Sequence, residues 1–340
     1  MHCSLSGLSD GESTGNGDAG NDADTATPEA GPTATPTLLA KDQGIIGGIA
    51  TNGTYVAWTS DSEQVRVCAV SGCAAPTSVA TAANTGHIAL SGRAIYYTRL
   101  SSSAPEQCTL PSSASDTPTC DSQGVGFDLG NANAFAVDQN YVFVGLLDDR
   151  AAEPGHRILS CNTTAGSGFG CGDAKSLGGP SDWNLVASGV NSDGPLALSS
   201  TRVFWSSLGA SGSIYSCART GCGTPAPAIT NQGDPRAMVV NGTSVYWTTH
   251  QGGTVATCEG DCSTGATSLA TDQSAPLGVT FSDGKLYWVN ETAGTIVRCA
   301  PENCSPEIIA RGMDRPQWIA VDAANVYFST AGGSIFSVPK

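Results

Sequence analysis

Basic residues are scarce in this chain. Its 340 residues include 15 Lys and Arg against 30 Asp and Glu, a formal net charge of −15. Binding to a phosphate backbone draws on clustered Lys and Arg, so nucleic acid is excluded as a partner. No run of about 18 apolar residues occurs, and no segment reads as a membrane-spanning helix. Amphipathic helical stretches of useful length are missing too. Among the local signatures of known chemistry, there is no H-E-x-x-H, no EF-hand loop and no phosphate loop.

Turn-forming residues are abundant instead, with 42 Gly and 18 Pro. They separate seven copies of one unit, a small apolar run, a turn and an aromatic-rich strand: GGIATNGTYVAWTS, GHIALSGRAIYYTR, NAFAVDQNYVFVGL, GPLALSSTRVFWSS, PRAMVVNGTSVYWTT, PLGVTFSDGKLYWVN and PQWIAVDAANVYFST. The matching positions are Trp58, Tyr97, Val144, Trp205, Trp247, Trp288 and Phe328, at intervals of 39, 47, 61, 42, 41 and 40 residues. A strand-rich repeat near 40 residues points to an all-β, seven-bladed β-propeller, one closed ring over residues 35–340.

The two ends of the chain complement each other. The last copy stops at GSIFSVPK, after its third strand, and the first is preceded by TPTLLAKDQ, which matches the fourth strands PAPAITNQ, ATSLATDQ and PEIIARG. An N-terminal strand completing the last blade removes both unpaired edges.

Thirteen cysteines resolve into Cys3 and six local pairs: Cys68/Cys73, Cys108/Cys120, Cys161/Cys171, Cys217/Cys222, Cys258/Cys262 and Cys299/Cys304. Each pair falls between the third and fourth strands of its repeat, where a disulfide would staple the turn, at about 2 kcal/mol for the shortest loops. Paired cysteines also ligate zinc, but these belong to different blades and lack neighbouring histidines. Six disulfides imply an oxidising compartment and export.

The strands VYWTT, LYWVN, VYFST and VFWSS resemble the YWTD-type propellers of the low-density lipoprotein receptor class, and more widely other bacterial surface propellers, over residues 36–340. Two departures stand out. Those receptor propellers have six blades where seven copies are counted here, and the aspartate that closes their motif is replaced by Thr, Ser or Asn, so their aspartate network is not carried over. The aromatic pair reads as packing between adjacent sheets.

Residues 1–34 have the composition of a disordered linker, with six acidic residues and no Lys or Arg. Cys3 followed by such a tether resembles the mature end of a bacterial lipoprotein, which implies lipidation at Cys3 and a membrane association through that anchor alone. The apolar segment that precedes such a cysteine is missing from the printed start, and an unpaired thiol on a secreted protein is the alternative. Localisation is expected to be extracytoplasmic, at the outer membrane or cell surface, or in the medium.

Function should reside in the loops that a rigid scaffold displays. The d-to-a and b-to-c connections share one face of a propeller. The longest and most charged is LLDDRAAEPGHR, with Asp148, Asp149, Arg150, Glu153 and His156, and the same layer holds His87, Arg99, Asp234, Arg236, His250, Asp314 and Arg315. These residues form either a solvated rim or a ligand-binding face. The first reading is a noncatalytic exported or cell-surface propeller that captures a protein or extracellular polymer there, with a purely structural envelope role as a lesser option. The alternative is a lyase or hydrolase with its site over the central channel, by analogy with seven-bladed enzymes that place a histidine and carboxylates there. That alternative requires His87, His156 or His250 to converge with an acidic residue. No catalytic residue, metal site or cofactor is assigned; the acidity is compatible with a calcium ion in the channel, although no motif supports one.

Overall fold

The computed structural model describes residues 33–61, 64–81, 85–99, 102–110, 119–120, 131–148, 155–163 and 183–340. Cys3 and all but the last two residues of the expected linker lie outside them. Seven antiparallel sheets follow one another along the chain, each with its first strand, a, innermost. Strands a to d are Ile46–Thr51, Tyr55–Ser60, Gln64–Ala69 and Gly72–Thr81 in blade 1, and Thr85–Ser91, Ala94–Arg99, Ser102–Thr109 and Thr119–Cys120 in blade 2. Blade 3 comprises Asn131–Val137, Tyr141–Asp148, Gly155–Asn162 and Trp183–Ser188, and blade 4 comprises Leu196–Leu198, Arg202–Ser207 and Ser213–Ala218. Blade 5 is built from Pro235–Asn241, Ser244–Thr249, Thr254–Glu259 and Thr267–Ala270, and blade 6 from Pro276–Ser282, Lys285–Asn290, Thr295–Cys299 and Glu307–Ala310.

Blade 7 takes its strands a to c from Pro316–Val321, Asn325–Thr330 and Ile335–Pro339, and its strand d from Thr37–Ala40 at the other end of the chain. Thr37 faces Ser337 and Leu38 faces Phe336 in that antiparallel pairing. The ring therefore closes by pairing the first strand with the last, and both edges are satisfied. The a-to-b turns use Asn52-Gly53, Asn241-Gly242 and Asp283-Gly284, whose glycines sit at φ of 83°, 60° and 74°, the left-handed region that side chains disfavour.

Blade 4 departs from the expected four strands. The segment PAPAIT, aligned with fourth strands elsewhere, forms only an isolated bridge between Ile214 and Ile229. Pro225 and Pro227 have no N–H to give to a ladder, which limits the pairing. The chain before them instead docks on blade 3, where the Ser188 N–H donates to the Gly223 carbonyl and the Cys222 N–H to the Val186 carbonyl, both at 2.9 Å.

Strand b explains why the blades stack. Its successive side chains point to opposite faces of the sheet, so one residue packs forward and the next one back, both large in every blade but the first, where the forward residue is Ala57. Trp247 of blade 5 packs in a buried cluster with Phe204 and Ile214 of blade 4, while Tyr246 beside it packs with Trp288 of blade 6. The same relation joins Tyr287 to Phe328, Phe143 to Trp205, Tyr96 to Val144 and Ala57 to Tyr97. The seventh cluster brings Tyr327 of blade 7 to Trp58 of blade 1 and closes the circle. The YWTD-like aromatics are thus inter-blade packing groups. The aspartate position is filled by Ser207, Thr249, Asn290 and Thr330, which make hydrogen bonds within their own b-to-c turns: Ser207 Oγ accepts from the Ser213 N–H at 3.0 Å, and Asn290 Nδ2 donates to Thr295 Oγ1 at 3.3 Å.

A second repeated contact ties strand b to the d-to-a connection. Trp58, Trp247 and Trp288 donate their indole N–H to Gln43, Gln232 and Gln273 Oε1 at 3.3, 3.1 and 2.9 Å. In blade 7 both partners change together, to Phe328 and Met313, and no polar group is stranded. In blade 4 the glutamine position is Ser192, and Trp205 Nε1 is buried with no partner among the described residues.

Cys68–Cys73, Cys217–Cys222, Cys258–Cys262 and Cys299–Cys304 are disulfides, each joining the end of strand c to the turn that follows it, or in blade 1 to the start of strand d. Cys108 and Cys161 are disulfide-bonded as well, and Cys108 lies opposite Cys120 in the strand register. The side chains of Cys120 and Cys171 are outside the described residues. These bonds belong to an oxidising environment. Among the described residues, no helix is long and apolar enough to cross a membrane.

The Trp–Gln contact predicts a coupled response. Gln232→Met should cost about 1–3 kcal/mol, because it leaves a buried indole N–H unpaired, and clearly less in a Trp247→Phe background. Urea unfolding of the two single variants and the double variant forms the cycle that measures this coupling. Equal cost in both backgrounds would contradict it.

Candidate active site at the channel mouth

The seven inner strands surround a cavity of about 670 Å³. Apolar side chains from six different blades, Ile49, Ile88, Phe135, Met238, Leu277 and Ile319, share its walls with polar ones that include His87, Asp193 and Gln317. The inner strands approach one another closely. A Cβ on Gly278 would lie 2.8 Å from the Gln317 carbonyl oxygen, and one on Gly48 would lie 3.2 Å from the Ile88 nitrogen. Glycine is needed at Gly278 for the ring to close this tightly, and a side chain at Gly48 would require Ile88 to shift.

Polar groups reach the cavity at one end, and a repeated backbone frame positions them. The residue following strand b donates its N–H to the carbonyl of the d-to-a connection that enters the same blade. The bond is Asp61 to Ile45 in blade 1, His250 to Asp234 in blade 5, Glu291 to Ala275 in blade 6 and Ala331 to Arg315 in blade 7, at 2.9, 2.9, 3.1 and 3.0 Å. Asp234, Ala275 and Arg315 hold φ of 66°, 55° and 47° to make this turn, an uncommon conformation for residues with a Cβ. His250 and Glu291 occupy equivalent positions of successive blades, 41 residues apart, and the repeat places one beside the other.

The contacts form a chain along the rim. His250 Nε2 lies 3.1 Å from Glu291 Oε2, and Arg315 Nε donates to Glu291 Oε1 at 3.0 Å. On the other side, His250 Nδ1 is 3.9 Å from Asp234 Oδ2, beyond hydrogen-bond reach. Asp234 is almost fully buried, with its side chain 1% exposed. Its Oδ1 accepts from the Gly209 N–H and its Oδ2 from Arg236 Nε, both at 2.8 Å. Burial raises the Glu291 pKa, but hydrogen bonds and charge from His250 and Arg315 outweigh it and hold the carboxyl below its ordinary value.

The expected loop residues divide into three groups. Asp234, Arg236, His250 and Arg315 come together. His87 lines the cavity from blade 2, its ring edge-on to Trp318 at 6.2 Å. His156 stands on strand c of blade 3 with Nδ1 3.4 Å from Ser192 Oγ, and does not line the cavity. Asp314 is exposed. Arg99 and Asp148 end their strands b, opposite Thr85 and Gly155, with side chains outside the described residues, as are Asp149, Arg150 and Glu153 altogether. Glu291, Asp193 and Trp318 were not among the expected site residues; the repeat spacing from His250 could have signalled Glu291. Among the described residues, no group of three His, Cys, Asp or Glu side chains could hold a metal ion.

No family model and no curated relative matches the chain. Its likenesses are to solved structures. Virginiamycin B lyase from Staphylococcus aureus superposes with a TM-score of 0.60 at 12% identity, over 90% of this chain and 98% of that one. A catalytically inactive histidine-to-alanine variant of that lyase, with quinupristin, gives 0.63 at 13% over 90% and 98%. The computationally designed Ika8 protein gives 0.58 at 12% over 89% and 98%. At such identities the likeness is one of fold.

Glu291 supplies a pH signature. A carboxyl held below its unfolded value contributes stability above that value, ordinarily 4.5 for glutamate, and loses it as pH falls through the folded value. The Tm difference between the wild type and Glu291→Gln, open at pH 7, should therefore close on acidification below about pH 4.5. A difference that is constant with pH would contradict the ion pairing.

Proposed function

We propose that this chain is an exported propeller that holds a small ligand over the mouth of its central channel and acts on it by acid–base chemistry, as a lyase or hydrolase does. The observation that carries this reading is the 3.1 Å contact of His250 with Glu291 on the cavity rim. Of the three histidines considered, His250 meets the requirement of the enzyme alternative. The disulfides support export.

The chemistry follows from proton placement. An ionised Glu291 only accepts hydrogen bonds, so the shared proton resides on His250 Nε2, and the neutral imidazole keeps its lone pair on Nδ1. Nδ1 is then the basic atom, available to take a proton from water or from a carbon beside a carbonyl. Glu291 orients the ring and stabilises the imidazolium that forms. Arg315 fixes Glu291, and the apolar residues of the wall receive the body of the ligand. Fold likeness lends little here, because the same architecture occurs in a lyase and in a designed protein. The noncatalytic reading uses the same face to capture a protein or polymer, through the charged b-to-c connection of blade 3.

Turnover decides between them. Quinupristin and a set of p-nitrophenyl esters serve as probes, followed by mass spectrometry, in which elimination with ring opening leaves the mass unchanged and hydrolysis adds one water. Turnover of at least one probe is expected, with kcat/KM lowered about 100-fold or more in both His250→Ala and Glu291→Gln. Turnover indifferent to both substitutions, or none by the wild type, would favour the noncatalytic reading.

A further inference from the structure

The rim of the channel is unevenly satisfied. Asp234 and Glu291 have both carboxylate oxygens engaged by protein donors, and Asp193 has one, which accepts from the Leu208 N–H at 2.9 Å. Arg315 turns Nε and one Nη to Glu291. Arg236 differs, because only its Nε is bonded, to Asp234 Oδ2 at 2.8 Å, and its two terminal nitrogens meet no partner among the described residues. Its side chain is 43% exposed and faces the cavity.

This arrangement has the features of a built anchor. A nearly buried carboxylate is itself fixed by a backbone N–H and holds the guanidinium by the nitrogen nearest the stem. The fork is thereby oriented with its outer donors open, the geometry that suits a bidentate acceptor such as a carboxylate. His250 Nδ1 lies 3.9 Å from the same Asp234 oxygen, so guanidinium and imidazole are neighbours on one rim. Below them apolar side chains supply part of the wall. Trp318 is held by its Nε1–H donating to the Ile46 carbonyl at 2.8 Å, and Ile49, Ile88 and Met238 line the interior.

Resting on the reading of the channel mouth as the ligand site, we infer that the ligand is an amphipathic carboxylate, with its acid group on the outer nitrogens of Arg236 and its apolar body in the channel. The donors left open at the rim call for an acceptor, and the walls call for a hydrocarbon or aromatic body. In this pose the carbons next to the acid group pass beside His250 Nδ1. Arg236 is then the residue that selects the ligand, and His250 acts next to the group that Arg236 holds.

Isothermal titration calorimetry of the full chain tests this with hexanoate, octanoate and decanoate, below micellar concentrations, against the alcohols and amines of the same lengths. Affinity should rise about fourfold per added methylene, corresponding to about 0.8 kcal/mol each. At each length the carboxylate should bind about tenfold tighter than the alcohol, and the amine more weakly still. Arg236→Gln should abolish the preference for carboxylate while keeping the dependence on chain length. Because that substitution leaves Asp234 buried and unpaired, Arg236→Lys is measured beside it and should retain only part of the preference. Alcohols binding as well as carboxylates to the wild type would overturn the inference and leave the channel as a ligand site. Absence of binding by all three classes would overturn the inference together with the site on which it rests.

Discussion

Everything in this molecule depends on the alternation of large side chains along the second strand of each blade. Tyr246 faces forward and Trp247 faces back, and the corresponding residues do the same around the ring. A single sheet of this kind cannot bury both of its faces. Stacked between two others it buries both, with an aromatic on each side in blades 2, 4, 5, 6 and 7 and on one side in blades 1 and 3, and replacing one such aromatic by alanine typically costs about 3–5 kcal/mol. The seventh interface, between Tyr327 and Trp58, lets the ring close without a terminal blade facing water. The strand Thr37–Ala40 then completes the hydrogen bonding that the last blade lacks.

The same repetition creates the candidate site. In blades 1, 5, 6 and 7 the d-to-a connection returns to the end of strand b through one backbone hydrogen bond, and in blades 5 and 6 the residue after strand b lines the channel mouth. That position carries Asp61, Leu208 and Ala331 in blades 1, 4 and 7. In blades 5 and 6 it carries His250 and Glu291, and the stacking brings them to 3.1 Å. Asp234 and Arg315 occupy the matching turn positions of the connections into blades 5 and 7, and flank the pair on either side. The candidate site is therefore local variation on a frame whose geometry the core has already set.

Much of the fold could be read from the chain because repetition makes it redundant. Seven aromatic strands, six cysteine pairs and a displaced fourth strand all pointed to one closed ring. The exception was PAPAIT in blade 4, where resemblance to other fourth strands outweighed the two prolines that weaken it. The site was less legible. Asp234, Arg236, His250 and Arg315 were recognised as belonging to one layer, but a layer spans the whole ring, and sequence gave no distance between its members. Glu291 follows the strand WVN as an ordinary turn residue, and only alignment with His250 one repeat earlier brings it to the rim. Trp318 reads as a strand residue until the channel is seen. The charged connection of blade 3 drew attention by its composition, which indicates solvent exposure as readily as a site.

The central claim is that the register of the ring sets His250 against Glu291 over the channel, and the most direct measurement is the ¹⁵N resonance of the imidazole ring nitrogens at neutral pH. With four histidines in the chain, a His250→Ala variant assigns the signal. The account predicts a proton on Nε2, a lone pair on Nδ1, and a shift of the His250 resonances on Glu291→Gln while those of His156 stay in place. A His250 ring that averages between tautomers and ignores the substitution at Glu291 would contradict it.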